Sequence, residues 1–160
     1  MRTATNAALL CLMLATPACA EPPAREPEGP RLVLTGVGRF AVFADVSAIG
    51  RDGNMVRMRS LQVTEEDFEA GGETYWGGWS WWSFDCRAGT ADRLDFASVR
   101  EGGAEGPTTL DTAPAYPAAP GGDAAELLAV ACDPDSAGEA DADNLADAVR
   151  VGRAALRLAG

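Results

Sequence analysis

The clearest pattern in the chain lies between Met55 and Val63, where Val56, Met58 and Ser60 alternate with Arg57, Arg59 and Leu61. A period of two predicts a half-buried strand. The turn signal Arg51 to Asn54 precedes it, so it should pair antiparallel with β-branched and aromatic runs in RLVLTGVGRFAVFADVSAIG, broken at Gly36 and Gly38. Val46 to Ile49 reads as a turn or short helical piece. Glu65 to Glu73, acidic and glycine-bearing, reads as a loop.

Tyr75 to Arg87 is extended, and RAGTAD turns it into a further strand over Arg93 to Val99, giving a hairpin. From Glu101 to Gly122 the chain is rich in Gly, Pro, Ala and Thr and reads as loop, with one brief strand over Thr108 to Leu110. Asp123 then reads as the N-cap of a helix ending at Cys132, with Glu126 at the capping-box position. A second helix is expected over Asn144 to Ala159, where Leu145, Val149, Gly152 and Leu156 recur at helical spacing. Asp141, Asp143 and Asp147 near its start, with Arg150, Arg153 and Arg157 toward its end, complement its dipole. The fold class this predicts is α+β, an antiparallel sheet of four to six strands covered by one or two helices.

The N-terminus changes the setting. Residues 1–20 combine Arg2, an apolar run to Leu14 and Ala18-Cys19-Ala20, the features of a signal peptide cleaved after Ala20. Cys19 offers an alternative lipid-anchor site, against which Thr16 stands where such sites carry Leu. No segment is long and apolar enough for a membrane span. Residues 21–30 form a proline-rich leader, and the remaining chain is one domain in length. Cleavage leaves Cys86 and Cys132, which should form a disulfide in an exported chain. That bridge would tie the strand through Cys86 to the end of the first helix.

Composition narrows the chemistry. The formal net charge is -11, with no histidine and arginine as the sole basic side chain. Nucleic acid and anionic lipid surfaces are therefore poor partners. Histidine-dependent triads and zinc sites cannot be built, and an oxidised cysteine pair supplies no thiolate. No phosphate-binding glycine motif is present. Paired carboxylates for glycoside cleavage cannot be located among so many acids. The segment DPDSAGEADADN loosely resembles a calcium loop through Asp133, Asp135, Gly138 and Asp141, yet places Ala137 at a ligand position and Asn144 where a bidentate Glu belongs. No metal, cofactor or catalytic residue is expected.

Alternation sets Trp82, Phe84 and Cys86 on the core face of their strand, and Tyr75, Trp79, Trp81, Ser83 and Asp85 on the other. With Arg57 and Arg59 on the neighbouring strand, Tyr75, Trp79 and Trp81 form the candidate binding face; the alternative is that the Asn144 helix covers it. Trp79 and Trp81 would also suit a small carbohydrate-binding domain.

An aromatic-Asp-Cys strand end in FDCRAG, a hairpin partner containing Arg93, a turn at Pro120-Gly121 and a helix finishing in a second cysteine resemble the surface-adhesin protein E family. The resemblance spans residues 31–132, leaving residues 133–160 as an acidic linker and C-terminal amphipathic helix. It implies an exported or lipid-anchored protein of a Gram-negative envelope, in the periplasm or on the outer surface, with a bridge equivalent to Cys86–Cys132. Non-enzymatic binding of a protein or glycan ligand is implied too, with a homodimer as one form.

Overall fold

A computed structural model describes residues 29–160; the signal-peptide and Cys19 readings, and most of the leader, lie outside the described residues. The chain order is β1 (Leu32–Val37), β2 (Ala41–Asp52), β3 (Met55–Ala70), β4 (Glu73–Asp85), β5 (Thr90–Arg93), β6 (Asp95–Arg100), β7 (Thr109–Leu110), β8 (Tyr116–Pro117), α1 (Asp123–Cys132) and α2 (Leu145–Ala159). All strand pairs are antiparallel, and the main path runs β1-β2-β3-β4-β5-β8, with β6 on β4 and β7 on β6. The α+β class holds, but the sheet has 8 strands among the described residues, more than the four to six expected. The two pieces not expected are β5, in the stretch read as the RAGTAD turn, and β8, in the stretch read as loop; at four and two residues they are too short for periodicity to register.

β4 changes partners along its length. Its end, Trp82 to Asp85, pairs with β5, and its beginning, Tyr75 to Trp79, pairs with β6. At the junction the Trp81 amide donates to the Asp95 carboxylate at 2.7 Å, so the break between partners leaves that donor satisfied.

Two cores lie on the two sheet faces. Val42, Ala44, Val56, Met58, Trp82, Phe84 and Ala91 pack against Ala124, Leu127 and Ala131 of α1. Ala41, Phe43, Leu61, Val63, Trp79 and Val99 pack against Ala148, Val149 and Leu156 of α2. Consecutive β2 residues alternate between these sets, as a pleated strand covered on both sides requires. Inside the α1-side core the Trp82 indole N–H donates to the buried Ser60 hydroxyl at 2.8 Å, which gives each polar group a partner.

The sequence reading misplaces three local features. Glu65 to Ala70 is strand rather than loop, paired over Phe68–Ala70 with Glu73–Tyr75. Its side chains are exposed, so its acids meet no desolvation cost, and Gly71 and Gly72, with φ of 61° and 82°, supply the two left-handed residues that a tight hairpin turn needs. Val46 to Ile49 belongs to β2, in a bulge between Asp45 and Gly50. The N-cap of α1 is Gly122 rather than Asp123, which opens the helix and places its charge in the first turn.

α2 begins as read, with Asn144 Oδ1 accepting the Asp147 amide at 2.9 Å. The side-chain hydrogen bond from Asn144, then that from Arg150, holds the Asp147 carboxyl below the ordinary carboxylate range. That contribution is present at neutral pH and is lost as pH falls through the lowered value. The acidic stretch before α2 is tied to β1: Ala142 bridges Leu32, and Asp141 Oδ2 accepts the Leu34 amide at 2.7 Å.

α1 ends against the sheet. Cys132 is bonded to Cys86, just past β4, with Cα atoms 5.7 Å apart. α1 has no basic residue in its last turn, and Arg51 of β2 serves instead, donating from Nη2 to the carbonyls of Ala131 at 2.8 Å and Cys132 at 3.0 Å. A cation on the terminal carbonyls opposes the negative end of the helix dipole. Arg51→Met, which keeps the stem and removes the charge, is expected to cost about 1 kcal/mol in urea unfolding. An unchanged midpoint would show that the contact adds nothing to stability.

Candidate functional site

The residues of the expected binding face do not assemble into one platform. Trp79 is 5% exposed and lies within the α2-side core, with the Arg59 guanidinium 4.3 Å above its ring centroid. Arg59 in turn pairs with Glu105 at 2.6 Å. Trp81 is partly exposed on the same face, covered by Arg57 at 4.7 Å. These are cation–π pairs whose cations already occupy the ring faces that a sugar would need. Covering of this face by the C-terminal helix therefore holds for Trp79, and the exposed two-tryptophan platform of the carbohydrate-binding alternative is absent.

Tyr75 is on the other side of the sheet. Its neighbour Trp76 packs on the α2-side core, whereas Tyr75 borders the same groove as Gln62, Gly78 and Ser98. The cause is a bulge. Against β6 the register shifts between Tyr75 and Gly77, inserting one residue in β4 next to Gly77, and against β4 the register of β3 also shifts, between Val63 and Phe68. Gly77 has φ of 156°, and a side chain there would overlap the Gln62 carbonyl. An inserted residue reverses which face each earlier side chain points to.

That reversal builds a different surface. α1 covers only part of its sheet face, and beyond Phe40 an open groove of about 440 Å³ remains. Its floor is a row across three strands, Gln62, Gly78 and Ser98, which are direct partners in the ladder. Because Gly78 has no side chain, the Phe96 ring can lie over its backbone; a Cβ there would collide with that ring. Phe40 closes the end nearest α1, and Phe68 and Tyr75, with ring centroids 6.4 Å apart, form the far end on the β3–β4 hairpin. Phe68 is 59% exposed and Phe96 36%. Clustered exposed aromatics of this kind mark binding surfaces.

Arg39 stands at the rim, its guanidinium 5.4 Å from the Phe40 ring centroid. It makes no ion pair among the described residues. Thr64 is already engaged, its hydroxyl 2.7 Å from the Glu66 carbonyl and 3.0 Å from that of Trp76. The sequence reading singled out only Tyr75 of this group. The Gly77-Gly78 pair inside a strand and Phe68 within an acidic run were the available signals.

A second pocket, about 300 Å³, is bordered by Trp82, Arg93, Asp111 and Tyr116. Arg93 Nε donates to Asp111 at 2.8 Å, and the Ala113 amide also donates to that carboxylate. The Ala113 amide first, then Arg93, lowers the Asp111 carboxyl from its ordinary value, while burial raises the Tyr116 hydroxyl. Its charges answer one another, and the group fastens the segment before β8 to the sheet. Among the described residues no group of three or more Cys, Asp or Glu side chains is placed to hold a metal ion. Nor is any described helix long and apolar enough to cross a membrane.

No family model matches the chain, and no curated protein matches it. Solved structures do. A structure of Haemophilus influenzae protein E is 12% identical with a TM-score of 0.49, covering 74% of this chain and 92% of that one. A second crystal form is 11% identical, with a TM-score of 0.48 and coverages of 75% and 97%. Protein E from non-typeable Haemophilus influenzae is 11% identical, with a TM-score of 0.45 and coverages of 88% and 95%. Likeness at this level does not establish membership of that family.

Proposed function

We propose that this chain is an exported, non-enzymatic binding module of a bacterial envelope, and that its binding surface is the aromatic groove on the α1 face. The observation that carries this reading is the open row Gln62, Gly78 and Ser98 walled by Phe40, Phe68, Tyr75 and Phe96. Several features support the setting. The Cys86–Cys132 bond suits an oxidising compartment, and residues 1–20 have the composition of an export signal. Both described cysteines are locked in that bond and the chain has no histidine, which leaves neither of those cysteines as a thiolate nucleophile and no imidazole as a general base.

The fold gives the groove a rigid base. Its floor residues sit on paired strands, and Phe40 packs against the α1-side core. Photo-crosslinking in cells exporting the protein tests the reading. A benzophenone side chain at Phe68 is expected to trap a ligand, while one at Leu110, 75% exposed and outside the groove, traps none. Adducts at position 110 alone, or at neither position, would remove the groove from the account.

A further inference from the structure

Taking the groove as the binding surface, we propose that it holds a free long-chain carboxylate, with the alkyl body against the aromatic walls and the anionic head at Arg39. The lining contains one ionised side chain, Arg39, and no acid. In a chain with 24 Asp and Glu against 13 basic residues, an acid-free lining favours a negative ligand over a positive one. Arg39 is exposed beside the groove, has no carboxylate partner among the described residues, and its guanidinium lies 5.4 Å from the Phe40 ring centroid.

The hydrogen-bonding capacity of the floor decides what the body of the ligand is. A bound peptide or sugar would bury amides or hydroxyls, each needing a partner. The backbones of β3, β4 and β6 beneath the groove are already paired with one another, and the Ser98 carbonyl accepts the Gly106 amide at 2.8 Å. With Thr64 engaged as well, the neutral polar side chains that remain are Gln62 and Ser98 on the floor and the Tyr75 hydroxyl at the far end. An alkyl chain makes no such demand and gains from every ring it touches. A cavity of about 440 Å³ falls in the range of about 300–1,000 Å³ typical of small-ligand sites.

Titration of the oxidised protein with cis-parinarate, a fluorescent long-chain carboxylate, is the test. Saturable one-to-one binding is expected, displaced by oleate in preference to oleyl alcohol and oleylamine. Arg39→Gln should weaken oleate by about five- to tenfold and erase its advantage over the alcohol. Phe68→Ser, a change at an exposed position, should weaken all three amphiphiles together. Absence of saturable binding overturns the proposal, as does equal competition by acid, alcohol and amine in the unmodified protein. If a polypeptide is trapped at position 68 while oleate does not bind, the carboxylate proposal fails and the groove reading stands.

Discussion

Trp79→Ala is expected to lower unfolding stability by about 3–5 kcal/mol, whereas Trp81→Ala, two residues along the same strand face, should cost less than about 1 kcal/mol. Trp79 is 5% exposed and packed among Phe43, Leu61, Val63 and α2, so truncation leaves a cavity that a sheet clamped by a helix cannot close. Arg59 adds to the loss, since its guanidinium rests on that ring and would be left over empty space. Trp81 keeps one side toward water and loses mainly its contact with Arg57. In a thermal melt the first variant should fall by about 10–20 °C and the second by a few degrees. Similar small shifts for both would mean that α2 does not cover Trp79.

Cys86→Ser is expected to cost about 4 kcal/mol. The bond joins residues 46 apart, and freeing that loop restores conformational entropy to the unfolded chain on the chain-entropy account. Against a total of about 5–15 kcal/mol for a domain, this is a large share. The single and double serine variants should be equally destabilised, because either one opens the same loop. Urea unfolding of oxidised protein, reduced protein and Cys86→Ser would place the last two together, well below the first. Coincident curves for all three, or two free thiols in protein taken from the periplasm, would contradict this.

The sheet's central strands, the two helices and the disulfide were legible because each rests on a local rule. Val56, Met58 and Ser60 alternate without interruption, α2 carries both its cap and its apolar stripe, and Cys86 and Cys132 are the pair that the expected signal cleavage leaves. The candidate face was legible only as far as the bulge. From Trp79 to Cys86 the division of residues between the two faces is right, with Trp82 and Phe84 stacked in the α1-side core at 5.8 Å, but the face read as outer carries Trp79 in a second core under α2. Behind Gly77 it inverts, because one inserted residue sends Tyr75 to the opposite side. Period-two reasoning has no means of counting that residue.

The groove was hidden for a related reason. Its residues come from the β1–β2 turn, β3, β4 and β6, and only tertiary pairing sets Gln62, Gly78 and Ser98 in one row. Phe68 sits in EEDFEA, where four carboxylates made a loop the natural reading. The segment is strand because glycine turn chemistry and backbone pairing suffice when both faces are solvated. Which part of a sheet face a short helix leaves bare depends on where that helix lies, and no local pattern in the sequence states it.

Hydroxyl-radical footprinting, read by mass spectrometry on purified oxidised protein and on the same protein in exporting cells, puts the central claim to a direct test. Phe68, Tyr75 and Phe96 are expected to be labelled in the purified protein and protected in the envelope, with Trp81 labelled equally in both and Trp79 in neither. Protection of Trp81 while the three groove aromatics stay equally reactive would place the binding surface on the opposite face and contradict the account.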